Sequence, residues 1–345
     1  MNTTPTIGTP FATQELDAIA TLGDLGPITV AANNPPWASM SDALPNAVRF
    51  INAADVSLDH LDKIVATEPD NTEIVVGIGG GTALDTAKYV AMRTGKRLIL
   101  VPTIMSVDAG FTNAVGVRVD GKVRYIGPIV PEMVVLDLPL ICRAPERLNR
   151  AGVGDILSCH TGLFDWELAC QMGAGHPWRD DLADLAGILL AELDAASDDI
   201  AHVTHDGIRF LADAYRRIGA ACAQAEHSRF EEGSEHFWAY NYEHLTGVQQ
   251  HHGELIALGV VAMSYIQAND PDWALDVVRS AKTIAHPIDL GISQPHFVEA
   301  LTTLPVYAAA EKLGYSIANH IPIDHGLADE AWAFVQKLPR AVVTV

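Results

Sequence analysis

The sequence is short of positive charge and of cysteine, and it has no long apolar run; each shortage excludes something. Twenty-two Lys and Arg stand against 43 Asp and Glu, for a formal charge of −21. Binding a nucleic-acid backbone or an anionic membrane surface needs clustered cations, so neither partner is expected. The acidity itself speaks to solubility rather than to fold. Four cysteines, Cys142, Cys159, Cys170 and Cys222, show no Cys-x-x-Cys spacing and fall far below the density of a disulfide-stapled secreted domain. They read as buried, reduced thiols of a cytoplasmic protein. No apolar run reaches membrane-spanning length, and the first residues lack a basic stretch followed by an apolar core. Neither export nor anchoring is expected. Gly-x-Gly-x-x-Gly and the Walker Gly-Lys-Ser/Thr loop are also missing.

What the chain does contain is 345 residues, enough for two domains and a cleft between them. From about residue 26 to 140, short β-branched runs alternate with helix-like segments: 28–32, 47–53, 73–79, 97–103 and 133–137. That alternation predicts βαβ units and a parallel sheet, whose strands are buried on both faces and so read as continuous apolar runs. Between the last two runs, Asp120-Gly121 within 115–128 signals a hairpin. After Leu148 the β-branched runs thin out, and apolar residues recur at three and four positions, as in 179–203. This texture predicts helices. The expected organisation is an α/β dinucleotide-binding domain over 1–149 and an all-α domain over 150–345.

The stretch TEIVVGIGGGTALDTAKYVA (72–91) places Gly77, Gly79, Gly80 and Gly81 between an apolar strand and a helix. Strand, glycine turn, helix is the order in which free backbone N–H groups and a helix dipole can be offered to a phosphate. A tight turn with no ligand is the alternative.

The segments GGGTALDTAKYVA and VPTIMSVDAGFTNA (101–114) resemble the iron-containing alcohol dehydrogenase, glycerol dehydrogenase and dehydroquinate synthase superfamily, over nearly the whole chain. AGVGDILSCHTGLFDWELA (151–169), with its Asp165-Trp166 pair, is closest to the glycerol-1-phosphate dehydrogenase branch. The resemblance implies a dehydroquinate synthase-like fold with a Rossmann-like first half. It implies that Gly79, Gly80, Gly81, Thr82 and Asp85 line the pyrophosphate of NAD or NADP. Thr103 and Ser106 then lie beside the nicotinamide, and Asp108 contacts substrate hydroxyls or a proton relay. From its position after a strand, Asp108 could instead merely cap a helix, the less favoured reading.

The same resemblance implies a divalent metal, zinc first with nickel or iron as alternatives, on Asp155, His236 and His252. These sit in Gly154-Asp155, Glu235-His236 and His252-Gly253-Glu254. Without it, one histidine among fourteen would be read as a surface or core residue. A carboxylate and two imidazoles leave a coordination position for substrate. His251 is the uncertain neighbour. Tyr240 stands one helical turn after His236, where many superfamily members carry a second His. Ile129 stands where relatives often carry a Lys, which counts against a phosphorylated substrate. Lys122, Arg124, Arg143 and Arg147 are the nearby cations, each read as a solvated surface charge.

The implied activity is an NAD(P)-linked, metal-dependent dehydrogenase of a small polyol, polyol phosphate or related carbonyl, expected to be a homo-oligomer. The competing reading is a carbocycle-forming lyase like dehydroquinate synthase. Those enzymes carry Gly-Gly-Lys after the Asp, whereas this chain has Ala109-Gly110-Phe111-Thr112.

Overall fold

The structure, a computed structural model, describes residues 11–341. Eight strands run in chain order: β1 (Thr13–Glu15), β2 (Ile28–Ala32), β3 (Ala47–Asn52), β4 (Ile74–Gly79), β5 (Arg97–Pro102), β6 (Val115–Val119), β7 (Lys122–Ile126) and β8 (Met133–Leu136). Six of them form one sheet in the order β1-β8-β5-β4-β2-β3, with every pairing parallel. The apolar runs of β2 and β4 are buried at every position, as a strand covered on both faces should be. β6 and β7 pair antiparallel outside this sheet, around a turn in which Asp120 and Gly121 both take positive φ.

The central strand β4 feeds helix α1 (Gly81–Thr94) through the glycine turn. Two of its glycines answer to steric demands. A Cβ on Gly77 would come within 2.8 Å of Ala87 Cβ on α1 and 3.0 Å of Leu100 on β5, so the bare backbone sets the depth at which α1 packs. Gly79 has φ +148°, and a Cβ there would stand 2.6 Å from Asn33 Oδ1.

Past residue 150 the described chain is helical. The helices that matter for the site are α2 (Val153–Leu157), α3 (Cys159–Gln171), α4 (Asp180–Ala201), α5 (His205–Ala225), α6 (Ser234–Thr246) and α7 (His252–Gln267). α7 is buried along nearly all of its length and forms the axis around which the others pack. One hydrophobic cluster runs without a break from Val75, Leu84 and Leu100 beneath the sheet, through Phe111 and Tyr215, to α7 and Phe334. A smaller cluster fills the other face of the sheet, with Leu22, Val30, Val76 and Val101.

Candidate functional site

A cleft of 1360 Å³ opens along the C-terminal ends of the sheet strands, where a parallel α/β sheet binds its ligands. Gly80, Gly81, Thr82, Asp85, Thr103, Ser106 and Asp108 line it from the sheet side, with Gln250, His251 and His252 facing them from the helical side. Gly79 lies just behind the lining. Gly80 caps α1 in an extended conformation, so the helix N-terminus points into the cleft. Asn33, at the end of β2, donates to Ala53 O at 3.0 Å and to Thr82 Oγ1 at 3.1 Å, which ties two strand ends to the glycine turn. Asp85 is turned inward: Lys88 Nζ is 3.5 Å from its carboxylate, and a Cβ on Gly116 would be 2.9 Å from its Oδ2. Its role is therefore at least partly to anchor β6 to α1.

The structure brings the oxygen and nitrogen atoms of Asp155, His236 and His252 within 4.8 Å of one another. Their elements converge because α2, α6 and α7 cross at glycines. A Cβ on Gly154 would be 2.2 Å from Gly253 O, and one on Gly253 would be 2.1 Å from Ala151 O and 2.7 Å from Ser106 O. Only bare backbone lets α2 and α7 come this close. His251 is exposed just ahead of α7 and is not part of the group.

Two of the three ligand candidates, His236 and Asp155, are oriented from behind. Glu235 accepts from His236 Nδ1 at 2.8 Å, from Gly233 N at 2.6 Å and from Thr161 Oγ1 at 2.7 Å. A carboxylate on one ring nitrogen leaves the other for a metal, the arrangement common behind metal-binding histidines. Burial alone would depress the His236 imidazole, but the Glu235 bond and charge outweigh it and lift the value to about 9. The Asp108 N–H donates to Asp155 Oδ2 at 3.1 Å.

Asp155 is only 4% exposed, and its Oδ1 has no hydrogen-bond partner. His252 Nε2 stands 3.4 Å from that oxygen, but not in hydrogen-bonding geometry. A buried carboxylate oxygen left unpaired between two imidazoles is costly unless something cationic completes it. One carboxylate and two imidazoles also form a donor set suited to zinc, nickel or iron(II), so the residues fit a divalent metal.

Asp108 opens a short 3-10 turn, and its carboxylate caps nothing among the described residues. Burial first, and then the Asp155 charge, raise it to about 7, against the pull of Lys88 and His252. The capping role open to it in the sequence is not the one it plays. The cations also differ from expectation. Lys122 pairs with Glu311, Arg124 reaches Glu311 Oε2 at 2.5 Å, and Arg147 forks onto Glu254 at 2.6 and 2.7 Å. These three are bound to partners rather than solvated; Arg143 lines the cleft. Cys159 is buried, and the other three thiols, all free, are partly exposed rather than buried.

Sequence reasoning did not single out Tyr125, Glu231 or Glu232. Tyr240 Oη donates to Glu232 Oε1 at 2.8 Å and lies 3.3 Å from Tyr125 Oη, with its ring 6.0 Å from that of His236. The Glu-Glu doublet directly ahead of Gly233-Ser234-Glu235-His236 was the available signal.

Residues 39–145 match the model of a family described as iron-containing alcohol dehydrogenase. The chain is 32% identical to a glycerol-1-phosphate dehydrogenase [NAD(P)+] of Hyperthermus butylicus over 260 residues, 73% of this chain and 72% of that protein. It is 32% identical to the enzyme of the same name from Staphylothermus marinus, covering 84% and 80%. The fold superposes on a probable glycerol dehydrogenase from Sinorhizobium meliloti 1021 with a TM-score of 0.74, at 19% identity, covering 95% and 96%.

Proposed function

The chain belongs to the iron-containing alcohol dehydrogenase family, and on that premise we propose that it is an NAD(P)-linked, metal-dependent oxidoreductase reducing a small hydroxylated carbonyl. The observation that carries this reading is a single cleft with a glycine turn and helix N-terminus on one wall and His252 on the other, with Asp155 and His236 grouped behind His252. The names of its relatives support a three-carbon polyol or polyol phosphate as the substrate class.

In this reading Gly79, Gly80, Gly81, Thr82 and Asp85 cradle the cofactor phosphates, and Thr103 and Ser106 flank the nicotinamide. A bound divalent metal would draw electron density from the substrate carbonyl, while the nicotinamide would supply hydride. The protein's own contribution is positioning and proton handling. Asp155, His236 and His252 would hold the metal, while Glu235 fixes the ring of His236 and the Asp108 amide fixes Asp155. The Asp108 carboxyl, titrating near 7, can hold a proton beside a substrate hydroxyl at working pH.

Division at 149–150, a cytoplasmic location, homo-oligomerisation and zinc as the native metal complete the proposal. No helix among the described residues is long and apolar enough to cross a membrane. The test is NADH and NADPH oxidation with dihydroxyacetone and dihydroxyacetone phosphate, with and without added zinc or nickel. Transfer of label from deuterated cofactor to product, lost in His252→Ala, is the expected result. Turnover without label transfer would sink the dehydrogenase and favour the lyase.

A further inference from the structure

Lys88 stands in the middle of α1, the helix that the glycine turn feeds, and it is wholly buried. Neither the glycine turn nor the group of metal-ligand candidates uses it. An ammonium at such depth is costly unless the protein supplies partners for it. Lys88 Nζ donates to Ala109 O at 2.9 Å and lies 3.5 Å from Asp85 Oδ1. Burial pulls the ammonium below the usual lysine range, against the opposing charges of Asp85 and Asp108. Replacing a buried ion pair by apolar side chains of similar volume is often neutral or stabilising, so stability alone does not account for a lysine here.

What the ammonium holds is the turn that carries Asp108. Asp108, Ala109 and Gly110 form one 3-10 turn, and Asp108 lines the cleft. At the first residue of the turn, the Asp108 N–H donates to Asp155 Oδ2 at 3.1 Å. One residue later the Ala109 carbonyl is taken by Lys88, and no other donor reaches it among the described residues. Ala109 is buried, so without Lys88 that carbonyl would be left without a partner and away from water. Packing guides the turn less tightly: a Cβ on Gly110 would stand 3.4 Å from Pro102 and 3.5 Å from Leu84, which are ordinary contacts. The turn is thus pinned from two sides, by the metal-ligand candidates through Asp155 and by the helix of the glycine turn through Lys88.

We propose that Lys88 is a positioning residue for the reduction: by holding the Ala109 carbonyl it fixes the Asp108–Gly110 turn, and so sets where the Asp108 carboxyl meets the substrate. The proposal rests on the oxidoreductase reading of the same cleft. Lys88 does not line the cleft, so it acts through Asp108 and not on the substrate itself. Placement matters at this scale, because a shift of about 1 Å caused by a change away from the chemistry can cost about 100-fold in rate.

The experiment uses the zinc-loaded protein with NADH and whichever of dihydroxyacetone and its phosphate it reduces faster. Lys88→Met keeps the length of the side chain and removes the donor, and Lys88→Gln removes the charge and ends one atom short of the carbonyl. Both are expected to lower kcat by about 10–100-fold, with substrate KM and the NADH affinity read by fluorescence titration within about threefold of wild type. A cycle with Asp108→Ala separates positioning from a general loss of structure. Once the Asp108 carboxyl is gone, Lys88→Met should lower kcat by less than about twofold further. Wild-type kcat in the Lys88 variants overturns the proposal, and so do losses that multiply with that of Asp108→Ala. Failure of both variants to fold, read by circular dichroism, assigns Lys88 to stability and overturns it as well. If the wild-type protein binds NADH but reduces no carbonyl, the oxidoreductase reading fails and Lys88 loses this role with it.

Discussion

Replacing Gly253 by Ala adds one methyl group at the point where α7 crosses α2, and the geometry allows its effect to be worked out. The new carbon would lie 2.1 Å from Ala151 O and 2.7 Å from Ser106 O. Ordinary contact between such atoms needs about 3.3 Å, so the two segments must separate by roughly 1 Å. Both obstructing atoms are backbone, and neither can swing aside as a side-chain end would. Overpacking of this kind costs about 1–3 kcal/mol, occasionally more. For a chain of this size that corresponds to a fall in Tm of several degrees, at roughly 2–4 °C per kcal/mol. The displacement also falls on the neighbouring residue, His252, whose Nε2 stands 3.4 Å from Asp155 Oδ1. Metal ligands tolerate errors of only about 0.2 Å, so zinc affinity should fall by about 10–100-fold. Thermal melts and competition against a chelator of known affinity read the two effects separately. Gly187→Ala is the control: it is exposed on α4, and a Cβ there meets nothing within 4 Å. Removing glycine from an exposed helix should raise stability by about 0.5–1 kcal/mol and leave the metal untouched. A Gly253→Ala protein with wild-type zinc affinity would refute the placement of a metal at this crossing.

Three further outcomes are expected. Asp165, buried in α3, accepts from Ser234 N at 2.6 Å and Ile317 N at 2.7 Å; Asp165→Ala strands two buried donors and should cost about 2–6 kcal/mol in denaturant unfolding, and a loss below about 1 would contradict the reading. Protons compete with metal for His236, lifted to about 9, so zinc affinity should rise about tenfold per pH unit between 6 and 8, where a flat profile would exclude His236 as a ligand; in metal-free protein the same shift gives stability that is present below pH 6.5 and lost as pH rises through about 9. Gly80→Leu places its side chain against Ile104 at the mouth of the glycine turn and should weaken NAD(H) or NADP(H) binding by a large factor with the fold intact, so unchanged titration curves would remove the turn from the cofactor site.

Much of the sheet could be read in advance because its strands are covered on both faces. β2, β4, β5 and β8 are continuous apolar runs for that reason, and Asp120-Gly121 announced the β6–β7 turn through its need for positive φ. β1 was not visible: three residues, Thr-Gln-Glu, on the outer edge of the sheet carry no apolar pattern to detect. At the site, local motifs pointed to Asp155, His236 and His252, since each lies in a short recognisable segment. The pairings around them are long-range and leave no local trace. Lys122 and Arg124 find Glu311 almost two hundred positions later, and Tyr125 finds Tyr240 more than one hundred later. Reading the hairpin cations as solvated failed for that reason. Helix periodicity likewise could not show that α2 and α7 touch backbone to backbone, because the glycines that permit it look like any others in the sequence.

The unbroken apolar cluster that joins the sheet to the helical half has a consequence for turnover. Phe111 and Tyr215 sit in its middle, and α5 passes so close to Phe111 that a Cβ on Gly219 would be 1.7 Å from the Phe111 carbonyl oxygen. A wide swing of one half against the other would have to tear this packing open on every catalytic cycle. The β6–β7 hairpin belongs to the same packed body: Val115 and Val117 are buried in that cluster, and Arg118, Lys122 and Arg124 pair with Glu243 and Glu311 on the helices. The two halves are therefore held in one register while substrate enters and product leaves, and exchange runs through the open mouth of the cleft rather than by hinging the halves apart.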